Sequence, residues 1–214
     1  MTRWRFTTNG HLRLVVGAAA LTLGAAAVVV AAHADPTKVV SPASETAEVA
    51  DSSAQTGELD NLGQAPLLDT SAGWLDDRAT DVRNRVVLYE LWTFGCSNCK
   101  HTLPYIRALY DRYERDGLTI VGIHTPEFDR ESEPARISEA ARELGVTWPV
   151  LLDPDKKNWR AFANRYWPRV FIADVSGDIR FDHIGEGAYG AMEVAIRELL
   201  HLDALAPRAE FPQS

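Results

Sequence analysis

The sequence predicts an α/β fold of three layers, in which helices cover both faces of a mixed central sheet. Short apolar runs alternate along the chain with segments whose apolar residues have helical spacing, and a hairpin signal follows near the end. Strands that alternate with helices build parallel sheets with helices on their faces, and a closing hairpin adds antiparallel pairing. We therefore expect one α/β/α sandwich.

The first half of this sandwich is predicted between residues 85 and 124. Arg85–Trp92 is a nearly continuous apolar run, which is typical of a central strand covered on both faces. The apolar residues then take helical spacing, and Gly117 ends the predicted helix. They lie at Leu103, Ile106, Leu109, Tyr110 and Tyr113. Leu118–His124 is predicted as the next strand.

The second half begins with a helix that Ser132 and Pro134 open and Gly145 closes. Further predicted elements, in order, are a short strand over Pro149–Leu152, a helix from Lys157 to about Arg165, hairpin strands Val170–Asp174 and Ile179–Ile184 around Ser176-Gly177, and a last helix with Met192, Ile196, Leu199 and Leu200. This order predicts the mixed sheet.

Residues 1–34 have the pattern of an export signal. Three arginines precede an apolar run of 19 residues, Leu14–Ala32, and Ala32-His33-Ala34 matches a small-residue cleavage site. The run is also close to the ~20 residues that a membrane-spanning helix needs. Cleavage and retention as an N-terminal anchor both stay open, and in either case we expect the rest of the chain to be extracytoplasmic.

The remaining chain is predicted to contain one domain, at residues 62–205, between a disordered acidic linker over 35–61 and a flexible tail over 206–214. The linker has six acidic residues, one lysine and no aromatic residue, so it cannot bury enough apolar surface to fold. Removing the three arginines of residues 1–34 changes the formal net charge from −8 to −11. Such a polyanion has no electrostatic reason to bind nucleic acid. We expect a monomer.

The only two cysteines, Cys96 and Cys99, are three positions apart. A disulfide between them would close a very short loop and constrain the unfolded chain little, so the pair predicts a reagent and not a structural staple. It follows the first predicted strand directly, where open α/β sheets place their sites. At the N-terminus of the next helix, Cys96 is expected as a thiolate nucleophile, with Cys99 one turn later to resolve the mixed disulfide.

Two other readings of this spacing are a zinc half-site and a haem attachment site. Zinc would require a second pair of ligands with suitable spacing, and covalent haem attachment requires histidine directly after the second cysteine. Lys100 occupies that position, and His101 comes one residue later. The motif therefore predicts redox chemistry without metal or cofactor.

Three segments resemble a known family. Leu91–Cys99, followed by Thr102-Leu103-Pro104, resembles the active-site segment of the thioredoxin superfamily, and in particular its extracytoplasmic TlpA-like branch and the thioredoxin-like part of DipZ proteins. Gly122–Phe128 and Asn164–Pro168 also resemble segments of the DipZ-like group. The resemblance covers roughly Gly73 to Leu200.

This resemblance implies a thioredoxin fold, with a TlpA-like insertion around Leu151–Arg165, and it assigns roles to further residues. Pro168 matches the cis-proline beside the cysteines, and Trp167 would offer its backbone to a substrate chain. Glu90 matches a buried acid that takes the proton from Cys99, although an acid on a poorly covered strand face is the alternative. The resemblance also suggests Glu127 as a second acid near the cysteines and Trp92 as a shield for the disulfide. His124 is open between a structural and a catalytic role.

The function implied is thiol–disulfide exchange with protein substrates, as a reductant that receives electrons from a DsbD- or CcdA-like membrane partner. One alternative is a thiol peroxidase, because Thr93-Phe94-Gly95-Cys96 contains the T-x-x-C core of peroxiredoxins. Another is a copper chaperone, which would resemble C-x-x-x-C with a distal histidine. The direction of electron flow is not determined by Ser97 and Asn98.

Overall fold

The computed structural model describes residues 58–213, which form a five-stranded mixed sheet with the order β3-β2-β1-β4-β5. The strands are β1 (Val86–Trp92), β2 (Leu118–His124), β3 (Val150–Leu152), β4 (Arg169–Ala173) and β5 (Ile179–Ile184). β1, β2 and β3 are parallel, whereas β4 runs antiparallel to β1 and β5 antiparallel to β4. The predicted mixed sheet is confirmed.

Helices cover both faces of this sheet. They are α1 (Ser97–Tyr113), α2 (Pro134–Glu143), α3 (Lys157–Ala161) and α4 (Tyr189–Leu199), with short 3₁₀ segments at Leu75–Asp77, Glu114–Asp116 and Asp129–Glu131. Buried residues of α1, α2 and α4 belong to one apolar cluster. The cluster on the other face includes Phe162 after α3, and residues of the irregular segment 65–82 pack against it. Within residues 58–213, no helix combines the length and apolar character needed to cross a membrane.

The alternation of side chains along β1 sets the position of the candidate acid. All seven residues of β1 are buried. Leu88 and Trp92 belong to the cluster on the α1 face, whereas Leu91 belongs to the cluster on the α3 face. Because side chains of a strand alternate between faces, Glu90 points to the face that α1 covers. The sheet therefore directs this carboxyl towards the helix that carries the cysteines.

One predicted helix is shorter than expected. The sequence predicts it to about Arg165, but α3 ends at Ala161. Ala163 has a left-handed backbone (φ 46°), which interrupts the helix, and the side-chain amide of Asn164 donates to the Tyr166 carbonyl oxygen at 3.0 Å. The chain therefore turns early and bends at residues 166–168 before β4 begins at Arg169.

The C-terminal residues contact the body beyond the predicted domain end at residue 205. The Glu193 carboxylate accepts hydrogen bonds from the Tyr113 hydroxyl and from the Ala209 N–H, both at 2.6 Å. Phe211 lies beside Tyr105, with ring centroids 5.9 Å apart. The buried acid of α4 thus anchors a segment that the sequence predicts to be a flexible tail.

The predicted signal segment and the linker as far as residue 57 lie outside the described residues. The last part of the predicted linker contacts the domain, because the Leu59 carbonyl oxygen accepts a hydrogen bond from Arg180 at 2.7 Å. Contacts of the domain therefore begin before residue 62.

We predict that Ala163→Gly stabilises the protein. A left-handed conformation costs a residue with a Cβ about 1–2 kcal/mol, whereas the added freedom of glycine in the unfolded chain costs about 0.4–1 kcal/mol, so we expect a net gain of about 0.5–1 kcal/mol. Urea unfolding measures the change. The matched control is Ala135→Gly in α2, where the same substitution should destabilise by about 1 kcal/mol. A loss of stability in both variants would contradict the prediction.

Candidate active site

Cys96 caps the N-terminus of α1. β1 ends at Trp92 and α1 begins at Ser97, so the cysteine lies in the short connection between the central strand and its helix. Its backbone is extended (φ −77°, ψ 122°), and its sulfur accepts a hydrogen bond from the Cys99 N–H at 3.3 Å. A sulfur in the capping position receives the N–H groups that a helix start leaves unpaired, and this favours the thiolate.

The two cysteines have opposite electrostatic environments. The hydrogen bond from the Cys99 thiol and the N–H groups of Cys99 and Asn98 lower the pKa of Cys96 to about 6, against partial burial and the charge of Glu127. Cys99 is fully buried, and this burial, together with the hydrogen bond to Cys96, raises its pKa well above the usual range. The partly exposed cysteine therefore ionises more readily than an ordinary thiol, and the buried cysteine keeps its proton.

Glu90 is completely buried, so the alternative of an acid on a poorly covered strand face is wrong. Its carboxyl oxygens have no hydrogen-bond partner among the described residues. Burial raises the pKa of Glu90 to about 8. Its charge is also among the influences that raise the pKa of Cys99, which indicates that the two groups are close enough to interact. Glu90 is thus an acid that can exchange a proton near neutral pH.

The Trp167–Pro168 peptide bond is cis, as the resemblance implies. The Trp167 indole N–H donates to the Thr125 carbonyl oxygen at 3.1 Å, and its ring packs on Trp159 with centroids 4.1 Å apart. This hydrogen bond ties the segment before β4 to the loop after β2. Trp92 is fully buried in the same apolar cluster as Cys99.

The carboxyl group that the fold buries after β2 belongs to Glu131 and not to Glu127. The Glu127 side chain is exposed, although its charge opposes ionisation of Cys96. Glu131 is fully buried, and its Oε2 accepts hydrogen bonds from the Thr93 hydroxyl at 2.6 Å and from the Glu127 N–H at 3.0 Å. Its other oxygen lies against Gly95, where an added Cβ would collide with it. Glu131 therefore braces the connection that leads into Cys96.

His124 adds a second brace to this connection. Its Nε2 accepts a hydrogen bond from the Phe94 N–H at 3.2 Å, and its ring stacks on the Phe94 ring with centroids 5.6 Å apart. Burial lowers the pKa of His124 to about 4, so the ring is neutral at pH 7 and Nε2 is free to accept. The sequence left His124 open between a structural and a catalytic role. Because its Nε2 accepts a hydrogen bond from the Phe94 backbone, the structure favours the structural role.

The sequence analysis did not single out Glu131, and it considered Thr93 only for peroxide binding. Glu131 follows Glu127, Asp129 and Arg130 in a charged stretch that looks solvated in sequence. Its partner Thr93 is 38 residues away, so no local pattern joins them. The available signal is a threonine and a glycine, Thr93 and Gly95, which flank Phe94 just before the first cysteine. The threonine requires a polar partner, and the glycine allows a close approach.

Comparisons with known proteins agree with this geometry. The model of the AhpC/TSA family matches residues 70–182. Protein DipZ of Mycobacterium tuberculosis is 33% identical over 79% of this chain and 25% of its own length. Thiol-disulfide oxidoreductase YkuV of Bacillus subtilis is 28% identical over 63% of this chain and 93% of its own length.

A solved thioredoxin-like protein in its oxidised form superposes with a TM-score of 0.58 at 27% identity, covering 65% of this chain and 95% of that structure. The fold is therefore the thioredoxin fold. The chain spans about a quarter of the length of the DipZ protein that it matches.

We predict that Glu131→Ala is strongly destabilising and that Glu127→Ala is not. Removing the buried carboxylate leaves the Thr93 hydroxyl and the Glu127 N–H without acceptors, which should cost about 2–4 kcal/mol in unfolding free energy. The exposed Glu127 side chain should contribute within about 0.5 kcal/mol. Chemical denaturation of both variants measures the difference.

Glu127→Ala should instead lower the Cys96 pKa, because it removes a negative charge that disfavours the thiolate. Thiolate absorbance in the ultraviolet as a function of pH measures this shift. Equal stability losses in the two variants would show that Glu131 has no special role.

Proposed function

This chain belongs to the AhpC/TSA family, and we propose that it is a thiol–disulfide oxidoreductase that exchanges electrons with protein disulfides through Cys96 and Cys99. The observation that carries the proposal is the asymmetry of the two sulfurs. One caps a helix with a pKa of about 6, and the other is buried one turn later beside an acid. The relative thiol-disulfide oxidoreductase YkuV, matched over 93% of its own length, supports the same activity.

In the first step the Cys96 thiolate attacks one sulfur of a substrate disulfide. The S–S bond of the substrate breaks, its second sulfur leaves as a thiolate, and a mixed disulfide joins the substrate to Cys96. Cys99 is positioned for the next step, because its N–H already reaches the Cys96 sulfur at 3.3 Å. Trp167 and Pro168 would hold the substrate chain beside the mixed disulfide, with Trp92 closing the interior side.

In the second step Cys99 loses its proton to Glu90 and attacks the Cys96 sulfur. The mixed disulfide breaks, the substrate leaves with both of its sulfurs reduced, and a Cys96–Cys99 disulfide remains. Two electrons have then passed from the protein to its substrate. Both sulfurs and the acid come from one chain, so a monomer suffices for the cycle.

We also propose that the protein is exported and that it reduces its substrates. The basic residues, apolar run and small-residue site of residues 1–34 support a location outside the cytoplasmic membrane. A reductant there must be reduced again after each cycle, and we propose a DsbD- or CcdA-like membrane donor for this step. The Cys96 pKa of about 6 supports this direction, because it is nearer to that of thioredoxin, about 7, than to that of the oxidant DsbA, about 3.5.

A specific contact weighs against thiol peroxidase activity. A peroxidase threonine must offer its hydroxyl to the peroxide beside the reactive cysteine, whereas the Thr93 hydroxyl donates to Glu131 at 2.6 Å and is fully buried. The described part of the chain contains no group of three or more His, Cys, Asp or Glu side chains that could hold a metal ion. Nothing in that part therefore supports the copper-chaperone alternative.

We predict that Cys99→Ala traps substrates as mixed disulfides on Cys96, because the attacking thiol of the second step is absent. Mass spectrometry of adducts formed with a disulfide-containing protein measures the trapping, and Cys96→Ala is the matched control. Equal trapping by the control would reverse the assignment of nucleophile. Turnover of hydrogen peroxide by the unmodified domain at the rate of a peroxidase would replace the exchange proposal altogether.

The direction of electron flow has its own test, equilibration of the cysteine pair with glutathione buffers. We expect a reduction potential closer to that of thioredoxin, about −270 mV, than to that of DsbA, about −120 mV, because the Cys96 thiolate is only moderately stabilised. A potential near that of DsbA would reject the reductant role and leave the exchange chemistry intact.

A further inference from the structure

Four buried polar atoms without hydrogen-bond partners among residues 58–213 belong to side chains that meet behind the cysteines. They are both carboxyl oxygens of Glu90 and the indole nitrogens of Trp92 and Trp148. Glu90 and Trp92 are completely buried, and Trp148 is 1% exposed. Buried donors and acceptors are nearly always paired in proteins, so three unpaired groups in one place require an explanation.

Gly122 shows how these side chains come together. It is the register partner of Glu90 on the neighbouring strand, so a side chain at 122 would stand beside the acid on the same face of the sheet. The indole nitrogens of Trp92 and Trp148 both lie 3.0 Å from the position that a Cβ at residue 122 would occupy. Two N–H groups therefore fill the space in which a side chain would otherwise neighbour Glu90.

Among residues 58–213, no lysine, arginine or histidine contributes to the pKa shift of this carboxyl. The elements packed around it contribute Cys99 from α1, Gly122 from β2, Trp148 from the segment before β3, and Val170, its register partner on β4. Cys99 is the titratable group in this set, and it is uncharged in its resting thiol form. The Trp148 indole lowers the pKa of Glu90 against the effect of burial, and the Trp92 nitrogen lies against the same Cβ position of Gly122.

We propose that Trp148 and Trp92 are positioning residues for the proton acceptor, whose indole N–H groups hold the Glu90 carboxylate in the form that can take the proton of Cys99. This inference rests on the proposed exchange function. Gly122 favours their approach, because a Cβ there would lie 3.0 Å from both nitrogens, and each would have to shift by a few tenths of an ångström.

The chemistry of the indole explains why such donors suit this acid. An indole nitrogen is a donor only, and hydrogen bonds to an ionised acceptor are stronger than those to a neutral one. The two tryptophans therefore favour the carboxylate over the carboxylic acid. Because they are neutral, they do so without the full charge of a lysine, and the acid keeps the raised pKa of about 8 that burial gives it. Glu90 can then both accept and return a proton near neutral pH.

Trp148→Phe tests the proposal, because phenylalanine keeps an aromatic ring and loses the N–H. The reaction to follow is the release of glutathione from a mixed disulfide preformed on Cys96, measured as a function of pH. We expect its midpoint to move upward by about one pH unit, with about tenfold slower release below the midpoint, because one hydrogen bond to the carboxylate is lost. Trp74→Phe, which changes an indole packed on the opposite face of the sheet, should leave the midpoint in place.

A second variant, Gly122→Ala, keeps the proposal testable if Trp148→Phe does not fold. Gly122→Ala keeps both indoles but places a methyl group 3.0 Å from each nitrogen, so it should move the midpoint in the same direction. Titration of the Glu90 carboxyl by carbon NMR should show the same upward shift in both variants. An unchanged Glu90 titration in Trp148→Phe would overturn the proposal.

Glu90→Gln separates this inference from the function on which it rests. If glutamine changes the pH profile but Trp148→Phe does not, the role of the indoles is wrong and the role of Glu90 stands. If Glu90→Gln releases glutathione with the profile of the unmodified protein, Glu90 is not the proton acceptor. In the Glu90→Gln background, Trp148→Phe should produce no further shift in the midpoint.

Discussion

The hydrogen bond from the Cys99 N–H to the Cys96 sulfur joins the chemistry of this protein to its fold. It exists because β1 ends four residues before Cys96 and α1 begins directly after it, so the sulfur occupies the cap of the helix. The same contact places the Cys99 residue within reach of the sulfur that it attacks in the proposed mechanism. A change in the connection between β1 and α1 would therefore alter the ionisation of the nucleophile and the approach of the resolving thiol together.

Two buried carboxyl groups support the two sulfurs from different sides. Glu131 lies after β2 and, through Thr93, braces the connection that leads into Cys96. Glu90 lies in β1 behind Cys99, and its carboxyl oxygens have no hydrogen-bond partner among residues 58–213. An acid with strong acceptor contacts is suited to hold structure, whereas one with few contacts and a raised pKa is suited to move a proton. Glu131 thus has the contacts of a structural acid, whereas Glu90 has those of the proton acceptor that we propose.

The sequence predicted the parts of this site that depend on local pattern. The apolar run of β1 predicted that Glu90 is buried. The position of the cysteines directly after that run predicted that Cys96 lies at the N-terminus of a helix. Glu131 and Trp148 could not be found in this way. Glu131 lies in a charged stretch, and its burial depends on a 3₁₀ turn and on Thr93. Trp148 reads as an ordinary apolar residue before a short strand, and only the pairing of β2 with β3 and β1 brings its nitrogen near Glu90. Both depend on contacts between distant segments.

Gly95 and Gly122 mark the two places where those distant contacts occur. Neither has the left-handed backbone that usually explains a glycine. At Gly95 the Glu131 carboxylate occupies the space of the absent Cβ, and at Gly122 two indole nitrogens lie in tight contact with that space. At these two positions, one inside β2 and one three residues after β1, the glycine is explained by a close polar neighbour and not by its backbone conformation. In this chain one such glycine lies beside the nucleophile and the other beside the acid, so the missing side chains define the site as much as the side chains that are present.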